Sequence, residues 1–465
     1  MLNCSSRKRW LQRRVKKNLF ADLLVSDVVQ EIETLLGRQA VEELDLEALE
    51  LAVRQQVLQL AGAAVEQRLN ADTSDERSSR TCGCGQPARF AGRRTKQVHS
   101  VLGPLRLERA YYHCSSCGHG YCPRDGHLGI ENTSLSPALT RMTGTVGALV
   151  SFQEGSELLS ELAGVAVDAK QVERTAEALG KQIAEDERWH AEPVDALAPP
   201  QTLYLGMDGT GIPLRAEELV GRLGKQPDGS AKTGEVKLCT IWSAESLDEQ
   251  GTPIRDEGSV TYSAALESAS ALDTAAERSP FAQRVGREAT RRRFCQAPRR
   301  VVLGDGALWI WNIADDQFPD ATQIVDRYHA KQYLSDLGKA LYGLTTPRAA
   351  QWAERRKEEL DTGRFRALLT AIRRQVTRCD AARRCLHYFQ TNRERMRYPE
   401  FHAQGLCTST GVVEAGCKVA IGTRLKRAGM HWTKQGANAI IALRCSRLSG
   451  RFQDFWERRS ERWAA

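Results

Sequence analysis

No apolar run in these 465 residues reaches the length of a secretory h-region or a bilayer-spanning helix, so the chain is expected in the cytoplasm, with no membrane partner. A disulfide framework is missing too. Thirteen cysteines is an odd number, they recur at no regular interval, and in that compartment they stay reduced. Nor does one sign of charge dominate: 66 Lys+Arg against 58 Asp+Glu leaves +8, which says little until placement is considered. What residues 1–20 lack is acid, because Arg7, Lys8, Arg9, Arg13, Arg14, Lys16 and Lys17 stand there unopposed. Between Arg364 and Arg397, ten arginines meet only Asp380 and Glu394. Such clusters suit a polyanion, since phosphate contacts supply most non-specific nucleic-acid affinity; a solvated helix face has the same composition.

The length corresponds to roughly three domains, and the pattern divides it further. Residues 1–75 read as a basic helical region, with apolar positions at helical spacing from Val28 to Leu60, and Asn70 to Arg80 read as a polar linker. Residues 76–128 carry Cys82-Gly83-Cys84-Gly85 and, after about thirty strand-like residues, Cys114-Ser115-Ser116-Cys117-Gly118. Two thiol pairs brought together by a hairpin suit a tetrahedral structural zinc, giving a zinc-ribbon-like module with Cys82, Cys84, Cys114 and Cys117 as ligands. His113, His119 and Cys122 are alternative ligands, and four reduced thiols without metal are the plain alternative. Residues 129–195 are helical. Phe152 to Leu162, a turn at Gly164 and Asp168 to Leu179 have helix-turn-helix spacing, which would set Lys170, Gln171, Glu173 and Arg174 toward a DNA groove; an ordinary helical hairpin looks the same.

From residue 200 the chemistry changes. Leu203 to Met207 is an apolar β run closing on Asp208-Gly209, and Arg300 to Leu303 is a second one closing on Gly304-Asp305-Gly306. Strands that deliver carboxylates to their C-terminal ends invite a shared metal, although Asp-Gly is also ordinary turn chemistry. Strands over Glu235 to Ser243, Ser259 to Ala264 and Thr322 to Asp326, and helices over Leu272 to Arg293 and Ala307 to Gln317, complete a mixed sheet over 200–329. An Arg-rich helical insertion, 330–408, interrupts it. The core resumes over 409–465, where Glu414 sits in the first turns of a helix, four residues before Lys418.

Asp208, Asp305 and Glu414, each with its surrounding string (MDGTG, VVLGDGA, VVEAGCK), together with IVDRYHA and WTKQGANAIIALRC, resemble the bacterial insertion-sequence transposases of the Kra family, allied to the Mutator-like group. The resemblance implies a multidomain α+β chain with a ribonuclease-H-like catalytic core over about 200–456. It implies an Asp-Asp-Glu triad holding two Mg²⁺ or Mn²⁺ ions, hydrolysis that frees a 3′-OH at the element end, and attack of that hydroxyl on target DNA. Double-stranded DNA, both terminal inverted repeats and target, is then the partner, engaged by a homo-oligomer at the nucleoid. Asp326 and His329 match an Asp-x-x-His signature with a supporting role; Lys418, Arg424 and Lys426 are phosphate-binding candidates, and His431-Trp432 a base-stacking one. A DNA-binding regulator without catalysis, or a nuclease that cuts without joining, would share most of these features.

Overall fold

The computed structural model describes residues 45–192, 198–219, 233–249, 251–270 and 277–464, with Gln30 and Thr34 besides. The basic run from Arg7 to Lys17, most of the helical pattern ahead of Asp45, residues 220–232 and the start of the helix expected over Leu272 to Arg293 lie outside these. Among the described residues no helix is long and apolar enough to cross a membrane. The fold is multidomain and mixed α/β, and it divides into two compact units: residues 1–143 with 156–167 and 460–465, and residues 144–155 with 168–459.

In the first unit, α1 (Leu46–Ala71) starts where the Asp45 side chain accepts from the Glu47 amide. Four antiparallel strands follow in sequence order: β1 (Ser79–Thr81), β2 (Pro87–Ser100), β3 (Gly103–His113) and β4 (Gly120–Tyr121), with the short α2 (Pro123–Leu128) after them. The inward residues of β2 and β3 alternate as a half-buried sheet requires, so Val98, Leu105 and Leu107 form a small core with Val65, Leu69 and Ile130. The stretch expected as a linker is not one. Asp75 is buried and salt-bridged to Arg124 at 2.6 Å, and its carbonyl accepts from the Tyr112 hydroxyl at 2.8 Å. A polar segment reads as a linker until the residues that satisfy it, here 37 positions away or more, are known.

Next in the chain come α3 (Pro137–Leu149), α4 (Phe152–Ala163) and α5 (Ala169–Trp189). The second unit is built on a five-stranded sheet of β5 (Thr202–Pro213), β6 (Thr233–Ser243), β9 (Thr261–Ala265), β10 (Arg299–Gly304) and β11 (Thr322–Val325); a two-residue pair, β7 (Ser246–Leu247) and β8 (Pro253–Ile254), stands apart. The order is β11-β10-β5-β6-β9. β5, β6 and β9 form an antiparallel meander, and β10 and β11 lie parallel to β5 on its other side. α6 (Pro280–Arg291) lies on the connection from β9 at one edge to β10, and α7 (Leu308–Gln317) makes the crossover that the parallel neighbours β10 and β11 need. Both central strands are buried across Leu203–Met207 and Val301–Gly304, which is why they read as continuous apolar runs.

Helices α8 (Arg327–Tyr342), α9 (Pro347–Asp361), α10 (Phe365–Arg373), α11 (Asp380–Thr391) and α12 (Tyr398–Ala403) form the insertion. Leu360, Leu368, Phe389 and Tyr398 belong to the same apolar core as the sheet, so the insertion is packed onto it. The chain then returns as α13 (Gly411–Gly416), continues through π-helical Cys417–Gly422 into a last turn, Thr423–Leu425, and ends with α14 (Lys434–Leu448) and α15 (Phe452–Ala464). A buried charge network that no periodicity announces ties the core: Arg451 reaches Glu288 at 3.0 Å and Glu187 at 3.2 Å.

The docking of α13 on the sheet depends on Gly206. A Cβ there would stand 2.2 Å from Val413 Cγ2 and 3.0 Å from the Trp242 ring, distances at which something must shift. Gly206→Ala is therefore expected to cost about 1–3 kcal/mol by overpacking, read as a lowered denaturant midpoint with an unchanged m-value.

Candidate active site and thiol cluster

Asp208 lies inside β5, which continues five residues past it to Pro213 opposite β6, rather than at the strand end that the following glycines indicate. Extended backbone accommodates both glycines when the partner strand supplies the hydrogen bonds. Asp305 does follow the end of its strand. Leu303 pairs with Gly206, so two residues further on Asp305 comes level with Asp208. Burial raises the Asp208 carboxyl above its ordinary value; the Gly209 amide and the Cys417 thiol pull it back, and the charge of Asp305 adds to the rise. Cys417 donates to Asp208 Oδ2 at 3.4 Å. Burial, followed by Asp208 and more weakly Glu414, keeps that thiol protonated.

Glu414 is exposed on α13, directly after Val413, the residue seated on Gly206. Both acids act on Cys417, so the three carboxylates share one neighbourhood. They are not gathered onto one point. Among the described residues, the side chains whose ligand atoms all lie within 4.8 Å of one another are the four cysteines, not the acids.

Asp326 has a role different from a bare supporting acid. It is 1 % exposed and accepts four hydrogen bonds: Oδ1 from the Tyr328 and His329 amides at 2.6 and 3.2 Å, Oδ2 from the Thr410 amide at 2.8 Å and from the Thr410 hydroxyl. One carboxylate thus caps α8 and fixes Thr410, the residue from which α13 starts. His329 is half-buried, contributes to the field at Asp208 and meets Tyr333 edge-on at 5.5 Å. Tyr333 stacks on Tyr388 at 4.1 Å, and the Tyr388 hydroxyl donates to the Asp305 carbonyl at 2.9 Å. Gly306 has φ +102°, and a Cβ on it would meet the Tyr388 ring at 2.5 Å, so the turn after Asp305 requires glycine on both counts. Thr410, Tyr333 and Tyr388 carry no sequence signal of their part in the site; Cys417, three residues after Glu414, carries only a positional hint.

The proposed phosphate ligands separate. Lys418 is exposed, and among the described residues it forms no ion pair with Glu414. Lys426 is exposed and donates to Thr210 Oγ1 at 2.5 Å, beside Asp208 in β5. Arg424 is reassigned: it is fully buried, its guanidinium lies 4.6 Å from the Phe152 ring and 5.2 Å from the Trp432 ring, and it donates to the Gly147 carbonyl at 3.1 Å. Burial brings its pKa down to about 10. Trp432 is buried with its Nε1 donating to the Leu425 carbonyl at 3.0 Å, which removes it as a stacking platform. In the helix-turn-helix stretch, Gly164 has φ +67° and Asp168 caps α5 through the Gln171 amide. Lys170 and Arg174 are exposed, Lys170 paired with Glu173 at 2.6 Å and Gln171 bonded to Thr175. α5 runs unbroken to Trp189 and buries Val172, Ala176, Leu179 and Ile183.

In the first unit Cys82 and Cys117 approach to 3.6 Å, and Cys84 and Cys114 to 3.7 Å. Cys82 and Cys84 sit in one tight turn and Cys114 and Cys117 in another: the Gly85 amide bonds the Cys82 carbonyl and the Gly118 amide the Cys114 carbonyl, both at 2.9 Å, with both glycines at positive φ. The Cys117 amide pulls the Cys114 thiol down to about 6, against burial and with help from Ser116. The His119 amide lowers Cys117, but the other three sulfurs outweigh it and push that thiol up to about 12. Four crowded sulfurs of which one ionises readily form a donor set for a soft or borderline cation such as zinc. His113, His119 and Cys122 are not part of it.

Residues 293–463 match the Uncharacterised protein family (UPF0236), a span that includes Asp305, Asp326, His329 and Glu414 but neither Asp208 nor the thiol cluster. No curated protein matches the chain.

Two outcomes are expected. Asp326→Ala removes the acceptor for four donors and should cost about 3–5 kcal/mol, whereas Asp326→Asn, which keeps an oxygen for the α8 amides, should cost less; chemical denaturation measures both. The purified chain should carry about one zinc, released on Cys114→Ser, as read by elemental analysis and a colorimetric zinc assay.

Proposed function

We propose that the chain is a DNA transposase: a divalent-metal-dependent enzyme that cuts phosphodiesters at the ends of an insertion sequence and joins the freed 3′-OH to target DNA. The observation that carries this reading is the placement of Asp208 on β5 and of Asp305 just past the end of the adjacent parallel strand, level with it in register, beneath the helix that bears Glu414. Three antiparallel strands flanked by two parallel ones, in the order β11-β10-β5-β6-β9, support a ribonuclease-H-like core, and a helical insertion between the second and third acids agrees with the Kra-family resemblance.

The donor set fits hard divalent ions. Carboxylate oxygens select Mg²⁺ or Mn²⁺ over softer metals, and acids spread wider than one ion requires would suit a pair of ions. Asp208, Asp305 and Glu414 would hold them. When bound, such a pair supplies an activated attacking oxygen and stabilises the leaving 3′ oxygen. The rest belongs to this chain. Asp208 is partly desolvated and repelled by Asp305, so a cation between them would relieve both. Cys417 donates to one Asp208 oxygen and fixes the carboxylate plane. Asp326 holds the start of α13, and with it Glu414, against the sheet. Lys426, bonded to Thr210 beside Asp208, is a cation available to a DNA phosphate. The thiol cluster, read as a zinc ribbon, and the exposed Lys170 and Arg174 are candidates for contacts with the element ends.

A nuclease that cuts without joining uses the same acids, and a DNA-binding regulator would not need them. Asp208→Asn, Asp305→Asn and Glu414→Gln are each expected to reduce strand transfer of labelled element ends by about 10³-fold or more while end binding in a gel-shift assay is kept. Joining that survives any of these substitutions overturns the triad; cleavage without joining by the wild type supports the nuclease.

A further inference from the structure

The transposase reading leaves unused a hollow of about 690 Å³ in the helical insertion, lined by α9, the turn after it and α10. Arg355, Arg356, Arg364, Arg366 and Arg374 line it, against one acid, Glu359. We propose that this hollow seats backbone phosphates of duplex DNA. The proposal rests on the functional reading only in taking DNA as the ligand.

Three observations converge. The first is an unfinished buried cation: Arg356 is 7 % exposed, and its Nε has no hydrogen-bond partner although its other arm reaches Glu359 Oε1 at 2.5 Å. A buried donor without a partner is unfavourable, a deficit that an anionic oxygen reaching it removes. The second is the start of α10, which lines the same hollow. Its cap position is occupied by Arg364, whose side chain makes no capping bond; first-turn amides without a side-chain acceptor, beneath the positive end of the helix dipole, attract an anionic oxygen. The third is the charge that remains after internal pairing. Arg364 is engaged by Glu358 at 2.8 Å, and Glu359 is shared by Arg356 and, at 3.8 Å, Arg355. Arg366 and Arg374 are exposed, and among the described residues neither is paired with an acid.

A polymeric anion fits better than a single small one. The hollow is several times larger than one phosphate needs, and Arg373, Arg378 and Arg384 lie exposed along the chain that leads out of it. Guanidinium groups spread over two helices match phosphates repeated along a strand, and their contacts position a duplex without reading its sequence.

The test is the salt dependence of duplex binding by the full chain, wild type against Arg366→Gln/Arg374→Gln, by fluorescence anisotropy. Both side chains are exposed, and circular dichroism checks that the fold is kept. Loss of two phosphate contacts should lower the slope of log K against log salt by about 1.8 and weaken affinity roughly tenfold or more, for unrelated sequences alike. An unchanged slope and affinity overturn the proposal while leaving the catalytic reading intact. A lowered slope in a protein that joins no DNA keeps the hollow and overturns the transposase. Calorimetry with inorganic phosphate is the second arm: saturable binding that the double variant loses, together with an unchanged DNA slope, assigns the hollow to a free phosphate and overturns the DNA proposal.

Discussion

Four donors converge on the buried carboxylate of Asp326, and they come from two segments of chain, the farther one 84 positions away. Taking a carboxylate out of water is unfavourable unless its lone pairs are filled, and here each oxygen is filled by a different segment. Oδ1 belongs to the first turn of α8 and Oδ2 to Thr410 at the start of α13. The Asp326 amide in turn donates to the Gly304 carbonyl at 2.8 Å, and the Arg327 amide to the Thr408 carbonyl at 2.9 Å. The strand end that presents Asp305 and the helix that presents Glu414 are thereby fixed to one another through a residue whose own four acceptor bonds go to neither acid. An acidic site assembled from distant parts of a chain needs such a link, because the carboxylates repel one another and cannot hold the arrangement themselves.

The return of the chain at α13 adds a second constraint. Val413 enters the space left by the missing side chain of Gly206, and Gly416 sits against Leu238 and Tyr262 on β6 and β9, so the helix crosses the sheet at backbone distance. Immediately beyond, the helix widens into six π-helical residues. Wide turns of this kind occur often at functional sites because they turn side chains off the α-helical register. In this helix the consequence is concrete: Cys417 faces Asp208, while Lys418, which an ideal register would pair with Glu414, stands apart from it.

Much of the second unit is readable from periodicity alone. Runs such as Val301-Val302-Leu303 are buried on both faces, and Glu235 to Ser243 and Ser259 to Ala264 fall within one or two residues of β6 and β9, because burial of a strand writes itself into consecutive residues. The two cysteine pairs are equally legible, since thiols and the glycines of their turns lie close in sequence. Whatever depends on a distant partner is not. Asp75 reads as linker because Arg124 and Tyr112 come later in the chain. Asp326 resembles a catalytic accessory because its four donors cannot be counted from a string. α5 outruns its apolar pattern because its last turns, Glu185-Asp186-Glu187-Arg188, are all charged, and what keeps them helical is the pairing of Asp186 with Arg458 and of Glu187 with Arg451 far along the chain.

Arg424 shows why arginine content alone is a poor guide to nucleic-acid contacts in this chain. A π-helical stretch bonds its carbonyls to the i+5 amide and leaves each a second lone pair, and a helix C-terminus leaves its last carbonyls free. Both kinds of acceptor occur here, and arginines meet both. Arg444 on α14 donates to the Ala420 carbonyl at 2.8 Å and to the Val419 carbonyl, both inside the π segment, and also to the Ala148 carbonyl near the end of α3. Arg424 supplies the neighbouring Gly147 carbonyl. A guanidinium, with five donors in a rigid fork, suits this work better than any other side chain. Aromatic rings over Arg424 replace the water it has lost. These cations are therefore consumed in holding open the wide turn that orients Cys417 and Glu414, whereas Arg366 and Arg374, with no acid against them among the described residues of the insertion, keep their charge for something outside the chain.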